Sequence, residues 1–296
     1  MNASFERLLS GVIDYAGLFP PAQLDMASAV EHYLRYKEGS EDWIVNRFVC
    51  PTSRLKELAD ALDEETPFSV CGIGRPSQDR KSWDLALEQD AQDMNAFHER
   101  LPKAEIEAYE IRLPAYQGLD QCIKDLKSFQ GIDVFVELPW GKQMDDALSA
   151  LADTEWLGAK ARTGGVQADA FPTSDELAGF LHGAMSLDLD FKLTAGLHHP
   201  FHTRDEQMKV AMHGFLNVLT ASTLIFSEDL PRAMAARILE DEDRLSFEFS
   251  NEGLRWRHHE AGLAEIEEAR DRFLGFGSCS VEEPLAELAS EGLLSE

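Results

Sequence analysis

The chain has 296 residues, with 54 acidic against 27 basic side chains and a formal net charge of −27. Such an acidic excess repels phosphate backbones and anionic headgroups, and no Lys/Arg-rich run interleaved with aromatics interrupts it, so nucleic acid and membrane surfaces are excluded as partners. No stretch approaches the ~18 consecutive apolar residues of a membrane span, the start MNASFERLLSGVI has no basic region followed by an apolar one, and the four cysteines form neither a zinc spacing nor a disulfide framework; a cytoplasmic protein with reduced thiols is expected.

Eight short runs rich in β-branched and aromatic residues recur along the chain, at 11–19, 42–50, 67–74, 105–114, 131–139, 156–165, 190–200 and 272–280. Between them lie pieces with helical spacing, such as SAVEHYLRY, TSRLKELADAL, GLDQCIKDLKSF, MDDALSALAD and SDELAGFLHGAM, with Ser, Thr or Asp placed to cap them. This alternation predicts right-handed βαβ units that close into an α/β fold, a (β/α)8 TIM-type barrel spanning 1–296 as one domain. The starts of the last two runs are 82 residues apart, which predicts an insertion between strands 7 and 8. There a helix is expected around MHGFLNVLTASTLIF, another around PRAMAARILE, a hairpin from RLSFEF and GLRWR, and a final helix in LAEIEEARDRF, a helical and hairpin elaboration over 201–270. No GxGxxG follows a strand, so neither an open dinucleotide-binding sheet nor a nucleotide cofactor is expected. A homo-oligomer is compatible with all of this.

In a barrel the carboxyl ends of the strands face one mouth, where barrel enzymes work. The predicted strand ends are unusually polar. They carry Asp14, Arg47, Cys71, Glu110, Arg112, Glu137, Lys160, Arg162, Lys192 and Thr194, and the last run adds Ser278 and Cys279. Only ten lysines are present, and two of them, Lys160 and Lys192, fall on consecutive strands with apolar neighbours. Burial and a second nearby cation both lower a lysine pKa, and a free amine can form a Schiff base or accept a proton. Glu110 and Glu137 are placed for acid/base work or for simple charge balance. Arg162, Thr163, Gly164 and Gly165 bring a fork donor, a hydroxyl and a flexible backbone suited to a carboxylate or phosphate. Arg112, Arg47, Asp14 and Thr194 complete the expected substrate contacts.

Four of the nine histidines fall within sixteen residues, as His198, His199, His202 and His213, and Asn217 follows four residues after the last. His198 is a candidate proton carrier, while His199, His213 and Asn217 are candidate ligand contacts. The expected cofactor is none or a divalent metal ion, held if present by His198, His199 and Glu137, although the spacing matches neither HExxH nor a two-His-one-carboxylate triad. Cys279 reads as a small buried thiol.

The strings DYAGLFPPA, AKARTGG, FKLTAGLHHP, HGFLNVL and FGSCSVEEP resemble those of a bacterial family of predicted barrel proteins, a likeness that spans nearly the whole chain and implies a continuous barrel but no activity. In layout, lysines on the sixth and seventh strands are similar to those of deoxyribose-phosphate aldolases and related class I aldolases. That likeness implies Lys160 as the Schiff-base nucleophile and Lys192 as its electrostatic partner. Those aldolases carry their Gly-Gly phosphate loop after the seventh strand, whereas here the pair follows the sixth.

The expectation is an enzyme acting on a small anionic carbonyl compound, a sugar acid, keto acid or sugar phosphate, as an aldolase-type lyase or an isomerase. The competing expectations are a metal-dependent lyase, isomerase or hydrolase using His198, His199 and a carboxylate, and a non-catalytic ligand-binding barrel.

Overall fold

Each of the eight predicted runs contains, to within one residue at its ends, one strand of a closed parallel ring. The computed structural model describes residues 2–114 and 118–294. Helix α1 (Ala3–Leu9) leads into β1 (Ile13–Tyr15), followed by α2 (Met26–Glu38), β2 (Val45–Pro51), α3 (Leu55–Asp60), β3 (Phe68–Ile73), α4 (Arg80–Arg100), β4 (Ala104–Arg112), α5 (Leu119–Asp125), β5 (Asp133–Glu137), α6 (Met144–Ala152), β6 (Leu157–Arg162), α7 (Ser174–Ser186) and β7 (Phe191–Thr194). A hairpin of β8 (Thr203–Asp205) and β9 (Val210–Met212) comes next, then α8 (Phe215–Glu228) and α9 (Arg232–Leu239). An antiparallel sheet of β10 (Phe247–Phe249), β11 (Gly253–Trp256) and β12 (His259–Gly262) follows, and then α10 (Leu263–Arg272). Strand β13 (Phe273–Ser278) closes the barrel between β7 and β1, and α11 (Glu282–Ser290) follows it. The fold is therefore a (β/α)8 TIM barrel. Among the described residues no helix is long and apolar enough to cross a membrane.

Local chemistry accounts for the helix starts. Asp25 caps α2, and reciprocal capping boxes open α4 through Asp79 and Ser82 and α7 through Thr173 and Glu176. The elaboration is richer than expected: the RLSFEF/GLRWR pair gains β12 as a third strand, and the unforeseen hairpin β8–β9 follows the histidine loop.

The large apolar core lies between strands and helices, where Val136, Ala161 and Leu193 meet Leu148, Leu177 and Phe180. A second, small cluster of Val49, Cys71, Ala108 and Phe135 fills the inside of the ring, with Ala16, Phe19 and Ile73 packed against it. The strand period of two puts Lys160 and Arg162 on one face of β6, and Glu110 and Arg112 on one face of β4. All four cysteines are free and buried.

Candidate active site

Strands β1, β4, β5, β6 and β7 place five charged side chains inside the barrel. Asp14, Glu110, Glu137, Lys160 and Lys192 are each no more than 7% exposed. Lys160 and Lys192 are register partners on β6 and β7, and Glu137 is the register partner of Lys160 on β5.

Two levels of the barrel interior interlock. Lys192 pairs with Asp14, lies 3.5 Å from the Cys71 Sγ and stands 5.3 Å from the centre of the Phe135 ring. These four residues come from β1, β3, β5 and β7, the alternate strands that build one layer of such a barrel. The even strands add Glu110 and Lys160. Glu110 bridges the lysines, with Oε1 2.5 Å from the Lys192 Nζ and Oε2 2.6 Å from the Lys160 Nζ. Glu137 then joins the Lys160 Nζ, at 3.1 Å from Oε2, to the Arg162 Nε, at 3.4 Å from Oε1. Three carboxylates and three cations form one continuous network.

The electrostatics correct the expectation of a lowered lysine pKa. Burial does press both ammoniums toward the neutral form, but Glu110 and Glu137 around Lys160 outweigh it, and Asp14 with Glu110 does the same around Lys192; both pKa values stand above the ordinary lysine value. The carboxyl of Glu110, against the effect of its own burial, is held far below its usual range by Lys160 and Lys192. Glu137 is lowered against burial by Lys160 and Arg162. Burial, followed by the Glu110 charge, pushes the Cys71 thiol well above its ordinary value, so it stays protonated and donates toward Glu110 Oε1 at 3.2 Å.

Arg162 and Arg112 stand at the rim, each two residues beyond a network member on the same strand face, and both are exposed. Among the described residues Arg112 has no ion-pair partner. Trp140, which the sequence reading missed, donates its indole N–H to the Arg162 carbonyl at 2.7 Å. The Thr163–Gly165 turn and the Thr194–Gly196 turn touch: the buried Thr163 hydroxyl donates to the Ala195 carbonyl, and a Cβ at Gly164 would stand 2.6 Å from the Gly196 Cα. Glycine is required at 164 and 196 by this backbone approach. Thr194 lies beside Arg162 in register, half-buried.

Other predicted residues lie elsewhere. Arg47 is not at a strand end, because β2 runs on to Pro51; it lies at the amino end of the barrel, bonded to Glu107 and Asp133 at 2.9 Å each. A cavity of about 630 Å³ opens at that end, lined by Arg47, Glu107, Asp133, Asp190 and Arg272, opposite the lysine network. Asn217 is consumed by backbone groups, accepting from the His202 N–H and donating to the Ile238 and Asp241 carbonyls. His213 is buried with Nε2 3.0 Å from the Pro172 carbonyl. These two hold the elaboration together and do not join the lysine network. His199 is engaged by Glu287 of α11 at 2.8 Å, and neighbouring His198 has its pKa lowered by burial.

The expected metal set is not gathered. Among the described residues the ligand atoms that converge are those of Asp14, Cys71 and Glu110, without His198, His199 or Glu137. The Lys192 ammonium already stands among these three, paired with both carboxylates and in contact with the thiol. In this arrangement the ammonium is the cation that the two carboxylates balance.

No protein-family model and no curated protein sequence matches the chain. Among solved structures, one described as "QR15, an Aldolase" is similar with a TM-score of 0.49 and 12% identity, over 97% of this chain and 99% of that chain.

Proposed function

We propose that this barrel is an enzyme acting on a small anionic carbonyl compound, with Lys160 as the amine that forms an imine with it. The observation that supports this reading is the position of Lys160. It is a buried amine at the carboxyl end of β6, between two carboxylates and beside a second lysine, under a rim carrying Arg112 and Arg162. Glu110 serves both lysines, with Asp14 on the Lys192 side and Glu137 on the Lys160 side.

The steps are those of imine chemistry. Lys160 rests as an ammonium, so the reaction draws on the fraction of it that has given its proton to solvent. The freed amine adds to the carbonyl carbon, and loss of water gives the imine. The positive imine nitrogen then draws electrons from the neighbouring C–C or C–H bond, while a carboxylate takes the proton released from the substrate hydroxyl. Lys192 stays charged between Asp14 and Glu110 and fixes the position of Glu110. Arg162 and Arg112 hold the anionic group.

Borohydride reduction in the presence of small anionic aldehydes and ketones, followed by intact-mass and peptide analysis, tests this. A reduced adduct on Lys160, lost in Lys160→Met, is the expected result; a panel that leaves no adduct on any lysine sinks the imine reading. A second reading draws on the raised lysine pKa values. In it both ammoniums stay charged and polarise the carbonyl by hydrogen bonding, as in an isomerase, and turnover proceeds with no trappable adduct.

A further inference from the structure

The barrel mouth is divided in two. Strands β4 to β7 line it with Glu110, Arg112, Glu137, Lys160, Arg162 and Lys192. On the side of β1 to β3, Pro51 and Ile73 end their strands, and Ala16 after β1, Phe19 of the following turn and Ile73 pack on the interior cluster. Both halves reach the same height, since Pro51 pairs in register with Ile73 and Ile73 with Glu110.

Among the described residues, the side chains of Thr52, Arg75 and Asp14 on the apolar side are already committed. Thr52 is bonded to Asp90 at 2.5 Å, and Arg75 is drawn to Asp90 and, at 2.5 Å, to Asp93. Asp14 is taken by Lys192 and by the Arg47 N–H at 3.1 Å. A chain of hydroxyl groups placed here would leave water and meet groups that are already engaged, whereas an alkyl chain would be matched by Phe19 and Ile73.

On the charged side the spacing is short. One carboxylate, that of Glu137, touches the Lys160 amine with one oxygen and the Arg162 guanidinium with the other. The reacting amine and the anion-holding fork are therefore one carboxyl group apart. A carbonyl on Lys160 with its anion on Arg162 has the two groups on adjacent carbons.

Resting on the imine reading above, we infer that the substrate is a 4-hydroxy-2-oxo acid whose far end is a short alkyl chain seated against Phe19 and Ile73, cleaved to pyruvate and an aliphatic aldehyde. The step balances. The imine forms at C2 with loss of water, the C4 hydroxyl gives its proton to a carboxylate, and the C3–C4 bond breaks with its electron pair moving to the imine as an enamine. The aldehyde leaves, C3 takes a proton, and water returns the amine and releases pyruvate, with no oxidant or reductant needed.

The test runs in the condensation direction, with pyruvate as donor and aldehydes of matched length as acceptors: propanal against glyceraldehyde, butanal against erythrose. Wild type is expected to prefer the alkyl aldehyde at least tenfold in kcat/KM. Phe19→Ala should move the best acceptor one or two carbons longer, and Ile73→Asn should narrow or reverse the preference. Preferences are compared as ratios within each variant, so a loss common to all aldehydes cancels. Equal or better use of the hydroxylated aldehydes by wild type overturns the inference and leaves the imine reading standing. An unshifted chain-length optimum in Phe19→Ala overturns the role given to that residue. Failure of borohydride to trap pyruvate on Lys160 overturns the 2-oxo acid inference. If the wider panel also leaves no adduct, the imine reading falls with it.

Discussion

Lys160 shows how differently a residue behaves when its neighbours are known. Removing a buried ion-pair member costs about 3–5 kcal/mol because its partners remain buried and uncompensated. Lys160→Met leaves Glu110 and Glu137 in that state, so urea unfolding should report a loss of this size alongside the loss of imine trapping. The paired Lys160→Met/Glu137→Gln variant should recover part of the stability and none of the trapping. The raised lysine pKa carries a sign of its own. At neutral pH the amine is protonated, so trapping should accelerate as pH rises from 7 toward 10. Glu137→Gln removes one of the charges that raise it and should shift this profile to lower pH.

Glu110 gives the acid counterpart. Its folded pKa lies below the ordinary carboxyl value, so it contributes stability at neutral pH that is lost as pH falls below about 5 and through the folded value. The raised lysines contribute at neutral pH and lose their part only in strong alkali, as pH climbs through their folded values. Denaturant midpoints measured from pH 7 down to 3 should therefore fall more steeply for wild type than for Glu110→Gln, whose absolute stability is lower. Parallel slopes would contradict the assignment.

At the scale of elements, the turns after β6 and β7 form one unit. The Thr163 hydroxyl is tied to the Ala195 carbonyl, and the Gly164 and Gly196 backbones touch. Gly164→Ala forces these turns apart and should cost about 1–3 kcal/mol, as overpacking of a tight contact does. The same variant should raise KM for the proposed anionic substrate more than it lowers kcat, because Arg162 sits next to the displaced turn. The Gly pair was legible in the sequence as a special turn. Its use as a contact between two loops was not, because the partner glycine lies some thirty residues away. Arg47 was misplaced for a different reason: it lies inside the predicted run 42–50, near the amino end of β2, and a polar residue in mid-run reads as a strand end.

At the scale of the whole molecule, the net charge of −27 repels itself across the surface. Added salt screens exposed charges within a Debye length of about 8–10 Å. The Tm should therefore rise with NaCl from 0.05 to 0.5 M, while the buried lysine network, shielded from counterions, keeps the trapping rate nearly constant. A Tm that falls over this range would mean that exposed ion pairs, such as Arg35 with Glu282, outweigh the repulsion.

The sequence by itself determined the barrel, because strand and helix periods are local and their alternation leaves few ways to bury both faces. It also placed Lys160, Lys192, Glu110 and Glu137 on neighbouring strands of one barrel, where alternate side chains face the interior. The tertiary structure decided the charge state of the lysines, which depends on three carboxylates from β1, β4 and β5 meeting across the ring at distances no pattern records. It also decided that Asn217 and His213 support the elaboration, and that the mouth has an apolar half. Pairing across the barrel follows from strand register, and register is fixed only when the ring closes.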